Sequence, residues 1–209
     1  MKKNILITGA LGYIGTELCK LYSGFSWKYE VVAIDNRFIS ERVNELKRRK
    51  IKFVQADILN LDAIKPFIEK AEIVHHLAGI TDVAYVKKES NKVKDELTIK
   101  VAVEGTANVL KLMNSEAKII FPSTHVVYEG LKEKKENIQE NENTSTFLAY
   151  SSSKVENEKQ IIDSGKKYAI LRLGSVYGFS TDTMRINIMP NLFSKIASQN
   201  GEISLFAGG

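Results

Sequence analysis

Tyr150 and Lys154 stand four residues apart in a stretch with helical periodicity, so their side chains share one face of a helix. A phenol beside an ammonium is a reactive pair, because the cation favours the phenolate and draws the tyrosine pKa down toward working pH. Tyr150 can then take a proton from a substrate hydroxyl while hydride leaves the same carbon, or run both transfers in reverse. The same spacing also arises by chance as an exposed helix pair, and it gains meaning only beside a hydride carrier.

A site for such a carrier is written at the other end of the chain. Asn4-Ile5-Leu6-Ile7-Thr8 suits a buried strand; Gly9, Gly12 and Gly15 follow at three-residue spacing, and helix-compatible sequence continues through Leu21 and Tyr22. Gly9 allows the tight turn off the strand, Gly12 lets the backbone approach a pyrophosphate, and Gly15 lets the helix pack close to the sheet. The positive end of that helix then faces the phosphates. A second apolar run, Val31-Val32-Ala33-Ile34, ends in Asp35. A carboxylate there accepts both hydroxyls of an adenosine ribose and repels a 2′-phosphate, whereas its bland reading is a loop or cap residue. NAD is therefore expected over NADP, with Arg37 close enough to accommodate a phosphate.

The Gly-x-x-Gly-x-x-Gly spacing, with Thr8 in front and Tyr13-Ile14 inside, resembles the extended short-chain dehydrogenase/reductase family, also called the NAD-dependent epimerase/dehydratase family. The resemblance continues through Asp57-Ile58, His76-Leu77-Ala78-Gly79, Gly105-Thr106-Ala107-Asn108, Phe121-Pro122-Ser123-Thr124, Val127-Tyr128, Tyr150-Ser151-Ser152-Ser153-Lys154 and Leu171-Arg172 to Val176-Tyr177-Gly178. It implies a Rossmann-type doubly wound parallel sheet and NAD as cofactor. The residues it places on the cofactor are Gly9, Gly12, Tyr13, Ile14, Gly15, Asp35, Asn36, Asp57, Ile58, Leu77, Ala78 and Gly79, with Tyr150 and Lys154. Asp57-Ile58 would hold the adenine, and Lys154 would also donate to the ribose hydroxyls. By the same resemblance Thr124 joins Tyr150 and Lys154 as a catalytic group, its hydroxyl bonded to the reacting oxygen.

The sequence departs from the family pattern at particular positions. Ala102 stands where the fourth helix usually carries asparagine, Ser175 replaces an asparagine before Val176, and Glu129 occupies a common glycine position. His125-Val126 follows Thr124 where 4,6-dehydratases carry an Asp-Glu pair, so dehydration is disfavoured. The reading is a sugar-nucleotide 4-epimerase working by transient oxidation of a secondary alcohol. Its alternatives are a reductase or dehydrogenase of the same family and a nucleotide-binding module without catalysis.

The elements that must position these groups alternate along the chain. Short apolar runs at 4–8, 30–35, 51–55, 72–77, 117–122, 167–172 and 203–206 predict about seven strands separated by helices, hence a parallel sheet covered on both faces. The run Glu202 to Gly209 resembles the strand and turn before the family's C-terminal substrate lobe, which is expected to be absent or truncated here, leaving 1–209 as an NAD-binding domain. At 209 residues and 44% apolar content the chain can bury a full core. No run approaches the roughly twenty apolar residues of a membrane span. The opening Met1-Lys2-Lys3-Asn4 leads into a strand too short for a signal peptide. One cysteine, Cys19, excludes an internal disulfide and suits a reducing cytoplasm.

The net charge of +5 tolerates anionic ligands, but its densest cluster, Lys47-Arg48-Arg49-Lys50, reads as a solvated helix end and not a nucleic-acid surface. His75 and His76 are adjacent on a strand, so they point to opposite faces and cannot share a metal. His125 reads as a structural histidine, and Tyr128 and Tyr177 as packing tyrosines. In resembling proteins the fourth and fifth helices, here about 92–114 and 147–164, pair across a two-fold axis, which implies a homodimer. Val93, Leu97, Val101 and Asn108 fall near one stripe of the first of these.

Overall fold

The computed structural model describes residues 2–81, 91–133, 135–181 and 183–204. Six strands form one parallel sheet: β1 (Lys3–Thr8), β2 (Tyr29–Asp35), β3 (Lys52–Gln55), β4 (Ile73–His76), β5 (Lys118–Thr124) and β6 (Lys167–Leu173). Their spatial order is β3-β2-β1-β4-β5-β6. The order reverses between β1 and β4, where Thr8 lies in register with His76. In open parallel sheets that switch point opens a crevice at the strands' C-terminal ends, and ligands bind there. The last apolar run of the sequence adds no strand at Ile203 and Ser204, while Leu205 and Phe206 lie outside the described residues.

Helices α1 (Tyr13–Ser23), α2 (Ser40–Arg48), α3 (Leu61–Ile68), α4 (Lys92–Leu112) and α5 (Ala149–Asp163) connect the strands. Successive strand side chains alternate between faces. Ile5, Ile7, Val31 and Ala33 therefore pack with Cys19 of α1 and Val43 and Leu46 of α2. Leu6, Ile34, Val74, Ile119 and Phe121 pack instead with Ile64 and Ile68 of α3, Val109 and Leu110 of α4 and Ile161 of α5. Cys19 is fully buried, and burial pushes its thiol up to about 12, which makes it an inert core residue.

The sheet and these five helices lie in one compact unit, Met1–Leu173; Gly174–Gly209 forms a second. Within the second, α6 (Met189–Ser198) is anchored by buried Asn191. Its Oδ1 accepts from the Gly178 N–H at 3.0 Å, and its Nδ2 donates to the Arg185 carbonyl at 2.9 Å. Tyr177 is 66% exposed, so the packing role expected of it is not met.

Candidate functional site

The glycine loop joins β1 to α1, and each glycine has a measurable reason. Gly9 has φ +67°, in the left-handed region that favours glycine. A Cβ there would come within 2.8 Å of the Ala78 nitrogen and the Leu77 carbonyl carbon, so the loop lies directly on the chain leaving β4. A Cβ on Gly15 would meet the Gly9 carbonyl oxygen and approach the Ala10 Cα to 2.7 Å. The sequence expectation had Gly15 packing against the sheet; it makes room for the loop itself. Gly12 caps α1 without a side chain, so no side chain closes the helix's positive end.

Asp35 ends β2 and is 5% exposed. Its Oδ2 accepts from the Leu11 N–H at 3.0 Å, which ties the second strand to the glycine loop. Its Oδ1 accepts from the Arg37 N–H at 3.1 Å, and the Arg37 guanidinium lies on both oxygens, Nε to Oδ1 at 3.0 Å and Nη2 to Oδ2 at 3.2 Å. Beyond β3, Asp57 closes a turn by accepting from the Leu59 N–H at 2.9 Å, and Asn36 reaches its other oxygen at 3.4 Å. The fourth helix holds this turn. The Asn108 amide donates to the Ile58 carbonyl at 3.0 Å, and the Ile58 side chain occupies the space a Cβ on Gly105 would need. Asn108 thus faces inward on the turn and does not extend the outward stripe of α4.

Tyr150 is the second residue of α5, and Lys154 lies one turn further on. The Lys154 ammonium donates to the Pro122 carbonyl at 2.9 Å, sits 4.4 Å from the Phe121 ring centroid and 5.8 Å from that of Tyr150. Desolvation lowers its pKa to about 8, with Glu158 pulling the other way. Tyr150 and Lys154 line one pocket with Leu77, Ala78 and Gly79, the segment on which Gly9 rests. Tyr150, Lys154 and the glycine loop therefore converge on the same strand end. Thr124 is not among the residues lining that pocket. It ends β5, and its Oγ1 accepts from the Val126 N–H at 3.3 Å to start a short 3-10 turn, His125–Tyr128.

Four polar residues with no assigned role in the sequence reading build the support for this site. Glu158 is buried one turn beyond Lys154 and takes the Arg172 guanidinium, Nη2 to Oε2 at 2.6 Å, together with the Ser123 hydroxyl. The same guanidinium bonds the Tyr128 hydroxyl. The Glu158 spacing from Lys154 was the available signal, since i and i+4 share a helix face. Asn157 lines the pocket and donates to the Ala102 carbonyl at 2.9 Å, so an amide from α5 reaches α4 at the position that lacks the family asparagine.

Glu129 explains another departure. The N-cap of α5 is Leu148, whose side chain cannot cap a helix. The Glu129 carboxylate takes that role from the end of the 3-10 turn, accepting from the Phe147 N–H at 3.1 Å, the Leu148 N–H at 3.0 Å and the Ser151 hydroxyl. It holds the first turn of α5, and with it Tyr150. Glu129→Ala is expected to cost about 1–2 kcal/mol, the usual range for losing a helix cap with charge-assisted bonds. Urea denaturation checks this, and a loss below about 0.5 kcal/mol, the scale of a neutral surface change, would contradict the capping role.

The two adjacent histidines diverge as expected. His75 meets the Tyr22 hydroxyl at 2.7 Å on one face. His76 lies on the other, between the Thr8 and Thr106 hydroxyls at 2.9 and 3.0 Å. Burial lowers the His76 pKa to about 3, so it is neutral at physiological pH. His125 donates through Nδ1 to the Leu173 carbonyl at 3.1 Å, a structural contact. Among the described residues no cluster of His, Cys, Asp and Glu could hold a metal ion, and no helix is long and apolar enough to cross a membrane.

Residues 5–209 match the family described as the NAD dependent epimerase/dehydratase family. Among curated proteins, a UDP-N-acetyl-alpha-D-glucosaminuronate decarboxylase from Bacillus cytotoxicus is 28% identical over 61% of this chain and 38% of its own length. A UDP-glucose 4-epimerase from Bacillus subtilis is 38% identical over 36% of this chain and 24% of its own. Among solved structures, the UDP-glucuronic acid 4-epimerase of Bacillus cereus, in complex with UDP-glucuronic acid and NAD, is 25% identical with a TM-score of 0.76. That match covers 99% of this chain and 66% of the epimerase, so the chain spans about two thirds of the solved relative and less of the curated ones.

Proposed function

We infer that this chain, which belongs to the NAD dependent epimerase/dehydratase family, carries the cofactor site and acid/base pair of a sugar-nucleotide 4-epimerase. The observation that supports this most is the convergence of Tyr150, Lys154 and the Leu77–Gly79 segment on one pocket beside the glycine loop. The residues fit NAD. A Cβ would fill the cradle at Gly9 and Gly15, the start of α1 carries no side-chain cap, and Asp35 offers a buried carboxylate hydrogen-bonded to the loop at Leu11. Gly9, Gly12, Tyr13, Ile14 and Gly15 would hold the pyrophosphate, Asp35 and Asn36 the adenosine ribose, Asp57 and Ile58 the adenine, and Leu77, Ala78 and Gly79 the nicotinamide side. NAD, when bound, supplies a reversible hydride acceptor.

Tyr150, supported by the Lys154 cation, takes the proton of the sugar's C4 hydroxyl as that carbon is oxidised. The same phenol returns a proton to the C4 oxygen after hydride reaches the opposite face. The family resemblance also gives Thr124, at the end of β5, the role of steadying the reacting oxygen, and gives Lys154 a bond to the nicotinamide ribose. Water elimination needs a further acid and base, and His125-Val126 after Thr124 supplies no carboxylate.

Incubation with UDP-glucose and UDP-glucuronic acid tests this reading. The expected result is the C4 epimer with no net NADH. Stoichiometric NADH would favour a dehydrogenase, and bound NAD without turnover in the full protein would favour a non-catalytic module.

We assign a homodimer built on α4 and α5, supported by the exposed apolar residues Val93, Leu97 and Ile162 on these helices. Light scattering should report twice the chain mass at micromolar concentration, and a monomer would overturn the assignment. The single buried cysteine accords with the cytoplasm as the compartment.

A further inference from the structure

The end of α1 far from the glycine loop carries side chains that neither the cofactor site nor the acid/base pair uses. The helix runs 11 residues from Tyr13 to Ser23, so this end lies roughly 16 Å from the loop. Leu21 is 60% exposed there, and the turn into β2 adds Phe25 at 45% and Trp27 at 73%. That turn is closed by its own backbone: the Phe25 N–H donates to the Tyr22 carbonyl, and the Lys28 N–H to the Phe25 carbonyl, both at 2.9 Å. An ordered turn thus presents Trp27 to solvent. Cations surround it. The Lys3 N–H donates to the Lys28 carbonyl at 3.0 Å, which brings exposed Lys2, Lys3 and Lys28 together. The Arg49 guanidinium reaches the Ser23 hydroxyl at 3.4 Å, so the Lys47-Arg48-Arg49-Lys50 run at the end of α2 borders the same turn. Of the neighbouring carboxylates, Glu45 is held by Arg48 and Arg49, Glu17 by Lys20, and Glu72 accepts from the Asn4 N–H. Glu30 is exposed. Positive charge therefore remains in excess around three apolar side chains.

We propose that this face docks on an anionic membrane surface, with Leu21, Phe25 and Trp27 entering the headgroup region while the flanking lysines and arginines meet acidic headgroups. Among the described residues no helix crosses a membrane, and none is needed, since apolar side chains and cations together hold a protein that lies on a bilayer. A tryptophan ring suits the headgroup level because it is apolar and carries one polar N–H. Leu21 decides against a nucleic acid, because base stacking would use the two rings and leave this aliphatic side chain in water. The pocket lies at the opposite ends of the strands, so docking leaves it open to a water-soluble substrate. The proposal does not depend on the epimerase reading.

Trp27 is the single tryptophan of the chain, so its fluorescence reports on this face alone. With vesicles of equal parts phosphatidylcholine and phosphatidylglycerol, its emission should shift to the blue and a water-soluble quencher should lose access to the ring. Vesicles of phosphatidylcholine alone should do neither, and salt at about 1 M should release the protein. In co-sedimentation, Trp27→Ala and Lys50→Glu are each expected to weaken binding about tenfold or more. Both positions are on the surface, and the circular dichroism of each variant should match the wild type. Absence of vesicle binding would overturn the proposal, as would an unshifted emission in sedimented protein, undiminished binding by Trp27→Ala, or equal binding to phosphatidylcholine alone. A ring already shielded from the quencher without vesicles would also overturn it, since a second copy or another part of the chain would then cover the face. Shielding of Trp27 by an oligonucleotide, with no vesicle binding, would overturn it in favour of a nucleic acid.

Discussion

Tyr150→Phe should lower turnover on a verified sugar nucleotide by about 10²–10⁴-fold, the range for removing a positioned acid/base. The ring is retained, so its contact with Lys154 and its place in the first turn of α5 are preserved, and NAD affinity should change little. The substitution removes the phenol oxygen proposed to carry the proton of the C4 hydroxyl. Lys154→Ala acts differently. It removes the cation 5.8 Å from the Tyr150 ring and the proposed donor to the ribose, so it should weaken NAD and move the pH optimum upward, because the phenol loses the charge that lowers its pKa. With Lys154 at about 8, its charge fades above that pH in the wild type, and the support for the phenolate fades with it. Near-full activity in Tyr150→Phe would leave Tyr150 and Lys154 as a structural pair on α5 without the acid/base role.

Acid should destabilise the fold through His76, an effect of comparable size. Its pKa is about 3 in the folded protein against an ordinary value of 6.5, because burial disfavours the imidazolium and the Lys154 charge adds to this. The unfolded chain therefore binds a proton that the native state refuses over that whole interval. Stability is intact above about pH 6.5 and falls as pH drops toward 3, with a limiting slope near 1.4 kcal/mol per pH unit. The drop summed over the window, about 4–5 kcal/mol, is comparable with the whole stability of a small domain. Urea denaturation of the wild type and His76→Gln between about pH 6.5 and 4.5, mostly above the ordinary carboxylate range, isolates the term. The variant should start less stable, having lost the Thr8 and Thr106 contacts, but should lose stability less steeply. Parallel slopes would contradict the account.

Both predictions depend on features that differ in how plainly the sequence shows them. Tyr150, Lys154, the glycine loop and Asp35 can be found because each is a local pattern whose chemistry depends on spacing. The inner strands β1, β2, β4 and β5 are found for a similar reason, since a strand covered on both faces is a short apolar run, while the edge strands β3 and β6 expose Lys52, Gln55, Lys167 and Tyr168. The supporting shell is another matter. Glu129 caps a helix 18 to 22 residues further along, and Arg172 meets Glu158 across the turn between α5 and β6. Neither partner is implied by local composition. Asn108 shows the limit of a helical stripe, which gives a face but not what the face meets; here its amide meets the Asp57-Ile58 turn. Tyr177 shows that an aromatic residue can be exposed, because its burial depends on neighbours distant in sequence.

The central claim is that one carbon of the sugar loses and regains the same hydride while Tyr150 handles the proton. It is tested most directly with UDP-glucose deuterated at C4, incubated with the protein and NAD in ordinary water. The account predicts a C4 epimer that keeps its deuterium at C4. An epimer carrying solvent hydrogen at C4 would mean that the carbon had been deprotonated, and it would contradict the transient oxidation on which the function rests.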